Sequence, residues 1–290
     1  MSRIIYFIAL MAALVSLISC GTSGVDPIAD ATDEDAIYNI IRFDNPHAFN
    51  IDRLGTPVPD TSMILAGSPY QPLYFWRTVS WDSLFIDINP PDTIIEDSSR
   101  IVVTRSVDVK QMFRGKLEII ALDTAGGDHR VHLSKNYASE GIIRATFKKY
   151  GFDYNTRRGW LLTDIGNTIY GAQLGQVRIW PADHPGEVIT VGTRVYPLNQ
   201  FPTFTTGDSL IVSVTVPDSG DAVSIKYPSA AGFSWQRLVR NESGNFEGGF
   251  RFAQIFGEKH ILVDIVYSQA MQQDTIGYNL SGIGVLYNIR

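Results

Sequence analysis

The run Lys259–Tyr267 places Ile261, Val263, Ile265 and Tyr267 on one side of an extended chain. Side chains of a β-strand alternate between faces, so a period of two, rich in β-branched residues, specifies a strand with a buried side. Runs of the same kind recur through the second half at Val177–Trp180, Val188–Val191, Ser209–Val216, Ala222–Tyr227, Trp235–Arg240, Gly249–Ile255 and Ile283–Ile289. Turn-forming segments such as Pro217–Asp221 and Asn241–Asn245 separate them, while Pro197–Pro202 reads as a linker or an edge turn. Short strands at this spacing predict an antiparallel β-sandwich over residues 176–290.

The preceding part, residues 32–175, reads as α+β. Thr32–Asp35 fits a loose capping box with acidic groups in the first turn, and Ala36, Ile37, Ile40 and Ile41 then share one helical face. Asn45-Pro46 ends that helix, and a second turn is expected within His47–Leu54. Strands follow at Leu73–Trp76, Ser83–Ile88, Ile101–Val109 and Lys116–Leu122. In Ile142–Lys149 the residues Ile143, Ala145 and Phe147 oppose Arg144, Thr146 and Lys148, and Gly159–Ile165 is the returning strand. The whole is expected to be mainly β with some α, in two domains, as a length of 290 residues suggests at roughly 100–200 residues per domain.

A helix on a curved sheet, ending in a hairpin of polar loop, Gly159-Trp160 and aliphatic strand, resembles the nuclear transport factor 2-like (NTF2-like) α+β cone. The likeness rests on residues 142–170 and implies a small-molecule pocket or an accessory domain; no catalytic residue of that family is transferred to this chain. Residues 176–290 resemble the immunoglobulin-like (Ig-like) modules of bacterial surface proteins, without the cysteine pair of antibody domains. Trp235 is the expected buried core tryptophan.

Residues 1–19 read as a signal peptide, with Arg3 supplying positive charge and Ile4–Ile18 a nearly unbroken apolar run. Its end, Leu17-Ile18-Ser19-Cys20, resembles the bacterial lipobox. The resemblance implies cleavage before Cys20, diacylglycerol on its sulfur and further acylation, such as palmitate, on the new amino terminus. Several acyl chains at about 0.8 kcal/mol per buried CH₂ make such an anchor effectively permanent. Residues 20–31 form the lipidated tether, the partner is a membrane of the bacterial cell envelope, and Gly21 rather than Asp after the cysteine favours the outer one. Cys20 is the sole cysteine, which excludes an intramolecular disulfide, a catalytic cysteine and a multi-cysteine metal site.

No nucleophile elbow, phosphate-binding glycine loop, His-Glu-x-x-His or EF-hand loop occurs in the chain. The formal net charge of −6 gives no general attraction to nucleic acid. The basic pairs Lys148-Lys149 and Arg157-Arg158 read as solvated faces. His129 and His132, three apart on a strand, point to opposite faces and suit a shared metal poorly, so neither metal nor cofactor is expected. Acidic pairs such as Asp33/Asp35, Asp87/Asp92 and Asp218/Asp221 read as caps and turns.

The densest aromatic group is Tyr70, Tyr74, Phe75, Trp76 and Trp81. Trp76 and Trp81 are the candidate ligand-binding residues, since sugar faces stack on exposed rings. Five apart on one unbroken strand, they would take opposite faces. The expectation is a non-enzymatic lipoprotein of binding or scaffold type, with an envelope protein or glycan as partner. The alternative is a small-ligand or glycan binder using the concave sheet of the first domain, and a second alternative is a hydrolase or isomerase with an unrecognised site.

Overall fold

A computed structural model describes residues 30–49, 70–96, 100–123, 125–127, 129–171, 175–216, 220–229, 232–252, 256–268 and 281–290. The leader, Cys20 and most of the tether lie outside the described residues. Helix α1 (Asp33–Asn39) runs into a π-helical turn (Ile40–Asp44) and then α2 (Pro46–Phe49). The strands of the first half are β1 (Tyr70–Ile88), β2 (Asp92–Glu96), β3 (Arg100–Asp123), β4 (His129–Lys149), β5 (Trp160–Gly166) and β6 (Thr168–Tyr170). Those of the second are β7 (Val177–Pro181), β8 (Ile189–Val191), β9 (Val195–Pro197), β10 (Thr203–Phe204), β11 (Ser209–Val214) and β12 (Ala222–Ser229). The last five are β13 (Gly232–Arg237), β14 (Val239–Arg240), β15 (Phe246–Arg251), β16 (Gly257–Val266) and β17 (Ser281–Ile289).

The chain is mainly antiparallel β, in two sheets. The larger has 12 strands in the order β1-β3-β4-β6-β17-β16-β12-β13, with β2 on β3, β5 on β4, β9 on β5 and β10 on β17. The smaller has the order β14-β15-β11-β7-β8. The large sheet runs across the boundary expected near residue 175, because β6 pairs with both β4 and β17.

Strands β1, β3 and β4 are longer than their sequence suggests. The expected pair Ile101–Val109 and Lys116–Leu122 is one strand of 24 residues, in register with β4 from Val103↔Lys149 to Asp123↔His129. Gln111 and Gly115 interrupt the apolar pattern without interrupting the strand: Gln111 is buried and accepts a hydrogen bond from the Tyr170 hydroxyl at 3.4 Å. Leu73–Trp76 and Ser83–Ile88 likewise join in β1, across register shifts at Pro72/Tyr74 and Val79/Trp81. Such bulges bend a strand and raise its twist, and the sheet curls: Arg77 of β1 meets Asp264 of β16 in a buried ion pair.

The inner face of the curl is filled. At one end of the long strands, Ala36, Ile37, Ile40, Ile41 and Phe49 cover Val107, Ile143, Phe147 and Trp160. At the other, Phe113, Leu117, Ile119 and Tyr137 meet Leu262 and Val266 of β16. Among the described residues the inner face of the curl is thus packed with side chains. The reason is that β16 has two apolar faces. Ile261, Val263 and Ile265 face the smaller sheet, packing with Val177, Ile179, Leu210, Val212 and Phe250, while Leu262, Asp264 and Val266 are buried beneath the curl.

Two expectations for the second half change. Trp235–Arg240 is not one strand: β13 belongs to the large sheet and β14 to the small one, and Leu238 between them is 1% exposed in the core that joins the sheets. Trp235, paired with Lys226, takes the face opposite that core and is only partly buried. Among the described residues, the fully buried tryptophan is Trp160.

The helix start follows its sequence. The Asp35 amide donates to Thr32 Oγ1 at 3.1 Å, and the Thr32 amide donates to Asp35 Oδ2 at 3.0 Å. Both basic pairs, by contrast, are engaged rather than solvated. Lys149 donates to Asp33 at 2.9 Å and to Asp153 at 2.6 Å, and Arg158 reaches the same two carboxylates at 2.9 and 2.6 Å. Arg157 forks onto Asp44 with both bonds at 2.8 Å, and Lys148 donates to Glu96 at 2.6 Å. Burial alone would raise the Asp33 carboxyl, but hydrogen bonds from Arg158 and Lys149 outweigh it and hold it at about 2. These pairs clasp the helices to the β4–β5 connection, whose backbone is left-handed at Arg157 (φ 53°) and Arg158 (φ 50°). Such a conformation costs of order 1–3 kcal/mol per non-glycine residue and persists only where contacts fix it. Gly159 (φ 75°) completes the reversal, where a Cβ would come within 2.4 Å of Gly151.

Helix α2 packs on β16 beside His260. Burial outweighs a hydrogen bond to the Ala48 backbone and, with His47 and Lys259 nearby, holds the His260 imidazole down at about 3. The unfolded chain takes up this proton near 6.5 and the folded chain only near 3, so stability falls as pH falls through that window. His260→Gln should therefore show a shallower loss of melting temperature on acidification from pH 6.5. An unchanged slope would mean that another group governs it.

Candidate functional site

Beyond the edge of the smaller sheet, the outer face of the large one is uncovered. There β4, β6 and the adjoining ends of β16 and β17 line a cleft of about 750 Å³. Its floor is the outer face of β4, where alternation presents Ala138, Glu140, Ile142 and Arg144 in turn. Ile169, paired with Ile142, continues that floor into β6. Tyr267 and Ser281 form one wall, the Tyr267 hydroxyl donating to Ser281 Oγ at 2.7 Å. Gly166, Asn167 and Thr193 form the opposite rim.

Asn167 shapes this rim. It sits between β5 and β6, its amide donating to the Gly192 carbonyl at 3.1 Å while its side-chain oxygen accepts from the Leu286 amide at 3.2 Å. Three segments distant in sequence are thereby held together. Behind the floor, Gly141 permits the β4–β6 approach, since a Cβ there would stand 2.2 Å from the Tyr170 ring. Burial drives the pKa of the Tyr170 hydroxyl upward, so it remains protonated behind the cleft.

Within the cleft a carboxylate and a guanidinium stand four residues apart on one strand face. Arg144 is 3.7 Å from Asp108 of the neighbouring strand and mostly exposed. With the hydroxyl groups of Thr193 and Tyr267, and Ile142 and Ile169 between, the surface offers both charges, neutral hydrogen-bonding groups and an apolar strip. Chemically, such a set of groups can hold and orient a small polar molecule.

The tryptophans expected to bind ligand lie elsewhere. Trp76 stands opposite Glu118 on β3 and stacks on His132, with centroids 5.9 Å apart and planes at 15°. His132 Nε2 lies 2.8 Å from Glu118 Oε2, so a histidine already covers one face of the ring. The bulge at Val79/Trp81 puts position 81 opposite Arg114, four residues from Glu118 and thus of the same parity on β3. The strand between positions 76 and 81 is therefore not unbroken, and the Trp81 side chain lies outside the described residues. His129 and His132 do occupy opposite faces, and His129 Nδ1 is 3.1 Å from the Gly126 carbonyl. Asp221, taken as a turn residue, is buried and accepts from the Ser268 amide at 2.9 Å.

Comparison with protein families, with curated proteins and with solved structures finds no match to this chain. The cleft was missed in the sequence because its parts come from four strands and the connections between strands. The one local signal is Glu140 and Arg144 on the polar side of an alternating strand, a pattern shared with any solvated strand face.

Proposed function

We infer that the chain is a lipid-anchored protein of the bacterial cell envelope, of non-enzymatic binding type. Attachment through Cys20 is supported by the lipobox-like Leu17–Cys20, and outer-membrane residence by Gly21. The observation that carries binding is the cleft on the outer face of the large sheet, where Glu140, Arg144, Thr193 and Tyr267 surround an apolar strip. The ligand suited to it is small and polar with one apolar face, a description that sugars meet. Helices laid on long curved strands support the NTF2-like likeness, and face-to-face sheets support the Ig-like one. The shared large sheet makes them parts of one unit.

A thermal-shift panel of oligosaccharides and small zwitterions tests this reading. A ligand at about 100 times its Kd adds about 2.7 kcal/mol of stability, which Glu140→Ala with Arg144→Ala should abolish while leaving the unliganded melting temperature unchanged. A panel without shifts, or shifts that survive the double substitution, would favour the scaffold reading, which the filled inner face of the curl supports.

A further inference from the structure

At one end of the molecule, three chain reversals present large apolar side chains that the described residues leave uncovered. Phe152 and Tyr154, in the β4–β5 connection, stack with centroids 5.3 Å apart and planes at 14°, yet stay 68% and 83% exposed. Phe43 in the π-helical turn is 69% exposed, and Ile95 and Ile101, paired across β2 and β3, are 74% and 72% exposed.

Polar bonds hold these reversals side by side. Asp44, next to Phe43, takes the Arg157 fork, and Asp153, between the two stacked rings, is bonded to Lys149 and Arg158. Tyr150 donates to Glu96, next to Ile95, at 3.0 Å. Single exposed apolar residues are ordinary on a protein surface; a group fixed at one end marks a contact.

The same end is where the described chain begins. Asp30 accepts from Arg157 at 3.4 Å and from the Asn39 side chain. The ten residue-to-residue steps from Cys20 to Asp30 span at most about 35 Å when fully extended. A lipid on Cys20 would therefore keep this end close to the bilayer. Nearby carboxylates (Asp30, Asp33, Asp44 and Asp153) are matched by Lys149, Arg157 and Arg158, so little uncompensated charge opposes a headgroup layer.

The geometry points to a membrane-docking surface: Phe43, Phe152 and Tyr154 enter the headgroup region of the bilayer that carries Cys20, seating the body on its hairpin end. Aromatic rings favour that interface because one part is apolar and, in tyrosine, the other is wet. The inference rests on the lipoprotein reading for its anchor, and the two are tested separately.

Lipid on Cys20 is read from the mass of the amino-terminal peptide of the full chain purified from membranes. Docking is read by flotation of the chain beginning at residue 20, carrying Cys20→Ser, with phosphatidylcholine vesicles in high salt. Substituting Phe43→Ser, Phe152→Ser and Tyr154→Ser should lower vesicle partition by at least about tenfold through lost apolar burial, with the melting temperature unchanged. Equal partition of the two chains overturns the docking surface even where Cys20 carries lipid. So does a dimer in light scattering that becomes a monomer on substitution, which would assign the patch to a second copy. Patch-dependent partition without lipid on Cys20 keeps the docking surface and removes the anchor.

Discussion

Asp264→Ala is expected to destabilise the fold by about 3–5 kcal/mol, because it takes the buried Asp264 carboxylate away from the buried Arg77 guanidinium. Arg77 is 8% and Asp264 4% exposed, so water cannot readily replace the lost partner. The effect should be more than electrostatic. Arg77 belongs to β1 and Asp264 to β16, strands far apart in the order of the large sheet, and their contact ties the two arms of the curl. Joint replacement by Arg77→Met and Asp264→Leu should restore much of the stability, since apolar residues of similar volume commonly substitute for a buried pair at little cost. Urea unfolding of the single and double variants measures both. A single variant within about 1 kcal/mol of the parent, the range of exposed pairs, would show that the pair does not hold the curl.

Trp160→Ala should cost a comparable amount, about 3–5 kcal/mol for removing a fully buried aromatic side chain. Trp160 is 1% exposed and packs in one core with Ile37, Ile41, Phe147 and Leu286. It also lies beneath two cations, Lys149 at 5.8 Å and Arg105 at 5.9 Å from the ring centre. Arg105 is paired with Glu34 of α1 at 2.6 Å, so losing the indole undermines the platform on which the helices rest. Hydrogen exchange should rise first over Asp33–Phe49 and only later in the β16–β17 pair. Uniform acceleration across both would mean that the helices and the sandwich open as one unit.

Some of this fold was written in local pattern. The capping box at Thr32–Asp35 and the face Ala36, Ile37, Ile40 and Ile41 form as read, because a cap and a helical stripe depend on residues three or four apart. The alternation of Ile143, Ala145 and Phe147 against Arg144, Thr146 and Lys148 holds for the same reason at a period of two. What failed depended on partners distant in sequence. The stretch between Val109 and Lys116 carries no strand signal of its own, yet Gln111 within it is bonded by Tyr170, and Lys149 and Arg158 looked solvated until Asp33 was brought beside them. The stacking of His132, from another strand, on one face of Trp76 likewise has no local signal.

The site divides along the same line. The lipobox proposed at Leu17–Cys20 is continuous in the chain, and that expectation rests on the sequence alone. The cleft is discontinuous: Arg144, Asn167, Thr193 and Tyr267 meet only because the large sheet continues from β4 through β6 into β17. Sequence by itself determined strand character, the helix and its cap, and the single thiol, since each follows from residues within one turn or one pleat of each other. Tertiary structure alone decided that β16 is buried on both faces, that Asp264 is paired with Arg77, and where the cleft lies. Those outcomes depend on which strand packs against which, and that is set by the curl of the whole sheet rather than by any local period.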